Sequence, residues 1–524
     1  MYSYKYCLNR STCAEGFKES SNGSFFIDKS ALIDLVNSKL ATKEKWICVS
    51  RPRRFGKTMA LEMLAAYYTK GIHSEDLFKS LSIANFHSFY RHLNSHNVVQ
   101  LNFSEFFDSI TSANEGIAKL TWQIISDLKQ DYPDLPDDVK ELPLAFDMIQ
   151  QAHGEKFIFL IDEWDAIFRL RKGKKAEHAE FLNFLKLLFK DKTYVELVYM
   201  TGILPIKKYN TGSALNMFRE YTMLDPKRLS PFFGFTKDEI KEAVSQSDVS
   251  MDELEEWYGG YYIEGEGHIF NPKSVSDALN EGICKDYWGK SGGFSELEEY
   301  ITMNFDGLGE AVTRLLSGER IEINVLGFSN DLDSFQDKDE VITALIHLGY
   351  LTYQDGSVQI PNRELREEFA NTVKKLSWGP VSQLLNQSKS LLRATLRMDE
   401  DAVARALESV HDDMQEFKEY NNEHTLKCVI HLAYYAALDF YNLSFEPSAG
   451  KGIADCIMTP RRTDLPGIIL ELKYNSSAEA ALQQIHDRDY IKALPTSVRR
   501  VILVGINYDK KSKQHVCRIE KAVK

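Results

Sequence analysis

Short apolar runs, each closed by polar or turn-forming residues, alternate with helix-period stretches through the N-terminal part of the chain. An apolar-periodic helix is expected around Leu32 to Leu40. Trp46 to Val49 is then a β-prone run that stops at a turn containing Pro52, and Leu61, Leu64, Ala65 and Tyr68 recur at helical spacing after it. Asn97 to Phe103 is a second candidate strand. In the third, Phe157 to Ile161 are consecutive apolar residues closed by Asp162 and Glu163, the pattern of a strand buried on both faces with acids at its C-terminal tip. Val195 to Thr201 is a further strand ending in a hydroxyl. Strands alternating with helices predict a mostly parallel sheet covered on both sides, and ligands of such sheets bind at the carboxyl ends of the strands.

The pattern changes to short helices from Gly234 to about Phe369. Its end, Leu351 to Ile360, is two β-prone arms about Asp355-Gly356. Helices followed by such a hairpin predict a winged-helix module. Trp257 to Tyr262 is aromatic enough to stack bases, but a packed interdomain corner is the preferred reading. Leu376 to about Lys418 is helical and charged, and reads as a connector. The C-terminal region resumes β-like runs: Lys451 to Met458 with Asp455 inside, a turn-rich stretch from Pro460 to Gly467, then the strand Ile468 to Lys473. A helix from Ala478 to Leu494 follows. The expected divisions are therefore 1–232, 233–370, 371–418 and 419–524.

Composition narrows the picture. At 524 residues the chain exceeds a single core's usual size. A net charge of −13 argues against a surface coated in basic residues, though not against a local basic groove. MYSYKYCLNRSTC has no apolar secretory core and no long apolar span follows, so neither a secretory signal nor a membrane segment is expected. Seven cysteines without a CxxC pair read as reduced, structural thiols of a cytoplasmic protein, with no zinc site.

Two stretches carry chemistry. Gly56-Lys57-Thr58 sits between a strand and a helix, the context in which that triplet becomes a phosphate site. Loop N–H groups and the helix N-terminus face the anion, Lys57 reaches the β- and γ-phosphates, and Thr58 reaches Mg²⁺. The full signature has a glycine where this chain has Arg51. In the same sheet Asp162 would hold Mg²⁺, Glu163 would orient or deprotonate water, and Thr201 would sense the γ-phosphate. Arg53 and Arg54 have three readings: phosphate contacts, partners of the strand's acids, or the wall of a nucleic-acid groove. The basic run Arg169 to Lys175 reads as a solvated loop, and Arg219 as a surface ion pair or an arginine finger acting on a neighbouring subunit.

The second stretch is the C-terminal strand. Glu471 and Lys473 alternate onto one face, and the short connection from Asp455 allows all three to converge. Two carboxylates hold Mg²⁺ together with substrate phosphate and water, while Lys473 polarises that water or stabilises the phosphate. Upstream, Leu426, Val429, Ile430 and Ala433 form a helical stripe with Glu423 on its buried edge, where an acid wants a metal or a cation.

FFIDKSALI, RPRRFGKTMALEML, FLIDEWDAI, TGILPI, WYGGYYI, NPKSVSDAL, LGYLTY and IPNRELREEF resemble the AAA-ATPase-like family often fused to a nuclease in bacteria. NNEHTLKCVI, GKGIADCIM, IILELKYN, AALQQI and LVGINYDKK are similar to PD-(D/E)XK superfamily nucleases. The first resemblance implies an AAA-like P-loop domain at 1–232, with Arg53 to Thr58, Phe55 included, around the nucleotide; that family too replaces the first loop glycine. The second implies a restriction-endonuclease-like α/β domain at 419–524 with Glu423, Asp455, Glu471 and Lys473 as its catalytic set and Gln484 as auxiliary. Ile453 departs from the Arg or Phe usual there. Together they imply an α/β protein using ATP and Mg²⁺, with Mn²⁺ the alternative ion at the second site. They further imply nuclease action on DNA in preference to RNA, gated or driven by the ATPase, in a homo-oligomer and in defence against foreign DNA. Two other readings stand beside it: a nucleotide-switched oligomeric scaffold that binds nucleic acid without cutting, and an RNA nuclease or tRNA-directed toxin.

Overall fold

The computed structural model describes residues 4–524 except 109, 207–214, 290–293, 304, 329–333, 377, 415–422, 446 and 450–451. The chain forms two compact units, Met1–Ser291 with Glu322–Leu365, and Gly292–Ile321 with Arg366–Lys524.

The first unit is built on strands β1 (Trp46–Ser50), β2 (Asn97–Asn102), β3 (Phe157–Asp162), β4 (Val195–Gly202) and β5 (Arg219–Tyr221). Their order is β2-β3-β4-β1-β5, and every neighbouring pair is parallel. Period-two alternation explains why β3 reads as an unbroken apolar run. Phe157, Phe159 and Ile161 enter the core on one face, with Phe146 and Phe181, whereas Ile158 and Leu160 enter the opposite core with Leu64 and Tyr68. Tyr68 closes helix α1 (Lys57–Tyr68), which follows β1 through the loop containing Pro52. The parallel sheet expected from the sequence is thus present, and its carboxyl edge carries Ser50, Asp162 and Gly202.

The aromatic stretch at 257–262 is a packed corner inside the first unit. Tyr258 and Tyr261 are fully buried, and the Tyr261 hydroxyl donates to the Gly349 carbonyl at 2.9 Å. Gly260 has φ +80°, and a Cβ there would meet the Pro361 carbonyl oxygen at 2.0 Å. Gly260→Ala is therefore expected to cost ~3 kcal/mol or more, combining left-handed strain with a backbone clash. Urea unfolding measures it, and a loss below ~1 kcal/mol contradicts it. The Thr352–Gln354 and Ser357–Gln359 arms pair antiparallel about Asp355 and Gly356, whose φ values of +51° and +83° are those a two-residue hairpin turn requires.

In the second unit, β6 (Tyr441–Phe445), β7 (Cys456–Pro460), β8 (Gly467–Tyr474), β9 (Arg500–Asp509) and β10 (Gln514–Val523) form one mixed sheet in that order. Only β8 and β9 run parallel within it. Helix α2 (Glu423–Ala433) precedes the sheet, and helix α3 (Ala478–Arg488) packs Leu482 and Ile485 against Ile469 and Leu503. The region read as a connector forms helices Gly379–Arg397 and Glu400–Met414; residues 415–418 lie outside the described ones. All seven cysteines are free, and all but Cys284 are buried. No described helix is long and apolar enough to cross a membrane.

Candidate functional site

The loop between β1 and α1 is shaped by two left-handed residues, Arg54 at φ +70° and Gly56 at φ +82°. A Cβ on Gly56 would meet nothing within 4 Å, and no side chain caps the helix that Gly56 opens. At Gly56 the positive end of α1 is thus left uncovered by the described residues, which is what an anion needs. Lys57 is buried and bonded to the loop itself, donating to the carbonyls of Arg51 at 2.9 Å and Pro52 at 2.7 Å. Burial pushes its ammonium down to about 8.

The carboxyl edge of β3 supplies the acid. Asp162 Oδ2 accepts from the Thr58 hydroxyl at 2.7 Å, and Oδ1 accepts from Thr201 at 2.5 Å and from the Glu163 N–H at 3.0 Å. Thr58 from the helix start after β1 and Asp162 and Thr201 from the ends of β3 and β4 therefore meet. Glu163 turns the chain at φ +51° and accepts from Arg169 at 3.0 Å.

That contact corrects the reading of a solvated loop at Arg169, whereas Gly173, Lys174 and Lys175 at the end of the run are exposed. Arg169 is only 11% exposed and also reaches fully buried Asp165, at 3.6 Å. Asp165 in turn accepts the N–H groups of Ile203 and Leu204 and so fixes the chain leaving β4.

Two arginines of the loop, Arg51 and Arg54, are engaged elsewhere. Arg51, in the place of a glycine, is fully buried; it donates to Ser50 and Tyr221 carbonyls and lies over the Phe233 ring. Arg54 donates to the carbonyls of Tyr287 at 3.1 Å and Trp288 at 3.0 Å, ties to backbone that none of its three readings included. Arg53 follows Pro52 in the same loop. Phe55 is buried edge-on against Tyr261. Arg219 pairs with Glu44 at 3.7 Å, the surface ion pair among its readings.

A cavity of about 440 Å³ opens beside Gly56, Lys57 and Thr58, walled by Phe17, Phe25, Phe26, Met59, Met63 and Phe235. None of these six is marked as a ligand contact by any motif in the sequence. The only signal was the apolar character of Phe25-Phe26-Ile27, which a core explains equally well.

In the second unit Asp455 stands just before β7, and Glu471 and Lys473 project from β8. Asp455 Oδ2 accepts the Leu472 N–H at 2.8 Å, which locks it to the strand bearing the other two. Lys473 Nζ lies 3.0 Å from Glu471 Oε1 and 2.8 Å from Gln484 Oε1. Gln484 also donates to Glu471 and, at 3.1 Å, to the Tyr490 hydroxyl, which donates to the Ile453 carbonyl. Of the four predicted residues, Glu471, Lys473 and Gln484 form one hydrogen-bonded network, and Asp455 is tied to the same strand through the Leu472 N–H. Glu423 begins α2, but its side chain lies outside the described residues. Lys427, one turn further on, was not anticipated and lies 3.2 Å from Asp455 Oδ1.

Glu471 is 2% exposed, and no side chain among the described residues bonds its Oε2. A buried carboxylate oxygen left unbonded is costly. Beside a second carboxylate it has the donor chemistry of a hard-cation site. No group of three or more His, Cys, Asp or Glu among the described residues is placed to hold a metal ion; a Mg²⁺ ion held mainly by water and substrate phosphate needs only one or two carboxylates.

The AAA-ATPase-like family model, described as a predicted AAA-ATPase, matches residues 15–211, and the PD-(D/E)XK nuclease superfamily model matches residues 421–517. The chain carries an AAA-ATPase-like domain and a PD-(D/E)XK superfamily domain. An uncharacterised protein from the vnfD 5′ region of Azotobacter chroococcum mcd 1 is 25% identical over 264 residues, 48% of this chain and 49% of that protein. The chain thus spans about half the length of the curated relative it matches. Among solved structures, a Walker-type ATPase of Pyrococcus abyssi aligns at 13% identity and TM-score 0.33, over 65% of this chain and 94% of its own. The ORC2 protein of Aeropyrum pernix, in ADPNP–ADP complexes, aligns at 9% and 0.28, over 71% and 100%. At those scores neither adds to what the sheet order already shows.

Within the PD-(D/E)XK domain, burial and the adjacent Asp455 charge push the Glu471 carboxyl up to about 7 from 4.5. The folded state therefore holds this proton more tightly than the unfolded chain, and stability falls as pH rises from about 4.5 to about 7. Glu471→Gln, which keeps the shape and removes the charge, is expected to stabilise the metal-free protein by ~2–3 kcal/mol at pH 8 and by much less at pH 5. Thermal melts at the two pH values measure this. An equal effect at both would show that the charge is not the cause.

Proposed function

We propose that this chain binds and hydrolyses ATP at the Gly56–Thr58 loop and cleaves nucleic acid, DNA in preference to RNA, at Asp455, Glu471 and Lys473. The single observation that carries the cutting half is the buried Glu471 carboxylate, whose Oε2 no described side chain bonds, beside Asp455 and Lys473. A divalent ion, Mg²⁺ or Mn²⁺, supplies positive charge to the phosphate oxygens at each site when bound.

At the ATPase site, Thr58 and Asp162 would hold that ion. Lys57 exchanges its two carbonyl acceptors for β- and γ-phosphate oxygens, and Thr201 stands next to the Asp162 carboxylate at the γ-phosphate end. Glu163, held by Arg169, orients or accepts a proton from water. The cavity walled by Phe17, Phe26, Met59 and Met63 has the apolar, aromatic lining that a purine ring stacks on.

At the nuclease site, Asp455, Glu471 and the helix position of Glu423 would hold the ion. Lys473 is pinned between Glu471 and Gln484 with its charge at the place where negative charge develops on the phosphate. Tyr490 holds Gln484 in that orientation.

The test is incubation of the full chain with supercoiled plasmid and Mg²⁺ or Mn²⁺, with and without ATP. Expected is cleavage that ATP alters and that Lys57→Ala renders ATP-independent. No cleavage under any of these conditions would leave the non-cutting, nucleotide-switched scaffold, and ATP-dependent assembly in gel filtration would then identify it.

A further inference from the structure

Helix α2 brings a second cation to the Asp455 side of the nuclease site, and the cutting reaction as read above does not use it. Lys427 Nζ lies 3.2 Å from Asp455 Oδ1, and its side chain is only 20% exposed. The other Asp455 oxygen accepts the Leu472 N–H, so both oxygens of this carboxylate are engaged. Glu471 Oε1 is likewise held by Lys473 and Gln484. Counted over the described side chains of these pairs, two carboxylates face two ammonium groups, and their charges cancel.

A dication approaching Asp455 thus meets an ammonium already at the oxygen it needs. Like charges at such separations, away from bulk water, repel strongly. Lys427 stands on a flexible four-carbon stem whose root is fixed in α2, so its head can leave Asp455 without any change of fold. A phosphodiester arriving with the ion offers that head a new oxygen partner.

Resting on the metal-dependent reading of this site, we propose that Lys427 is the resident counter-ion of Asp455, and that a divalent ion loads the nuclease site only by displacing it. Lys427 is then a positioning residue that keeps the metal-binding carboxylate ordered and makes loading weak until a phosphodiester takes up the displaced ammonium.

The measurement is Mn²⁺ binding to the full chain without nucleotide or nucleic acid, read as loss of the free-ion electron paramagnetic resonance signal. Lys427→Met, which keeps the apolar stem, is expected to bind Mn²⁺ about tenfold more tightly than wild type. Lys427→Arg, which keeps the charge, is expected to bind as wild type does. The gain must disappear in the Lys427→Met, Glu471→Gln double variant, which assigns the gained affinity to this site. Thermal melts with and without Mn²⁺ give the same answer without depending on activity: the ion should raise the melting temperature of Lys427→Met more than that of wild type. Equal Mn²⁺ affinity of wild type and Lys427→Met, with both lost on Glu471→Gln, overturns the counter-ion while leaving the metal site standing. Mn²⁺ uptake indifferent to Glu471, or absent from every variant, overturns both.

Discussion

Replacing Lys473 by alanine is expected to lower divalent-ion-dependent plasmid cleavage about a thousandfold. The ammonium is held in place by two acceptors, Glu471 Oε1 at 3.0 Å and Gln484 Oε1 at 2.8 Å, so it costs no reorganisation when a phosphate arrives. Removal of one preorganised positive group aimed at developing charge is worth ~3–4 kcal/mol of barrier. The fold should survive. Without its cation, buried Glu471, whose carboxyl is already pushed up to about 7, takes a proton instead of standing as an unpaired charge. A circular dichroism melt close to that of wild type, together with lost cleavage, is the expected pair of results. Cleavage within tenfold of wild type would remove Lys473 from the chemistry. Lys473→Arg separates charge from geometry, because a planar guanidinium cannot occupy the same point between two oxygens; it should recover little.

How far these sites were legible depends on whether strand geometry alone brings the residues together. Asp162 and Thr201 end adjacent parallel strands, with Ile161 opposite Met200, so any chain that pairs these strands places the two side by side. Thr58 follows because the helix after β1 starts at that same edge. Asp455, Glu471 and Lys473 were equally legible: a short connection and period-two alternation leave little freedom.

The contacts that were missed span distances no local rule encodes. Arg54 reaches carbonyls at Tyr287 and Trp288, more than two hundred positions away, and backbone carbonyls leave no mark in a sequence. Arg169 sits in a run of like charges, which resembles a solvated loop until the fold brings Glu163 and Asp165 against it. Lys427 was overlooked for the opposite reason. On a stripe defined by Leu426, Val429 and Ile430, a lysine looks like the edge of an amphipathic helix, and only the placement of β7 turns that edge toward Asp455. Arg51 shows the same limit: at a position defined by glycine its side chain counts as an obstacle, whereas in the fold it leaves the cradle and bonds to the Tyr221 carbonyl.

Lys57→Ala is the second large effect, and it should act on binding without costing stability. The Lys57 ammonium is buried, its hydrogen-bond acceptors among the described residues are the carbonyls of Arg51 and Pro52, and burial holds it at about 8, well below the usual lysine value of 10.5. The folded state thus disfavours the charge it carries at neutral pH, and deleting the group relieves that cost. A triphosphate reverses the balance, because its oxygens give the ammonium charge-assisted hydrogen bonds in a place where water competes poorly. Loss of such a contact is worth ~3 kcal/mol, or roughly a hundredfold in ATP affinity. Calorimetric titration with ATP and Mg²⁺ should show that weakening, while the melting temperature without nucleotide, measured at pH 7, stays level or rises. Because the buried lysine's cost grows as pH falls from 10.5 to about 8 and is full below that, the relative stability gained by Lys57→Ala should be larger at pH 6 than at pH 9. Undiminished ATP affinity would mean that the Gly56–Thr58 loop is not where the phosphates bind, and a variant markedly less stable than wild type would mean that Lys57 is a strut of the loop first and a phosphate ligand second.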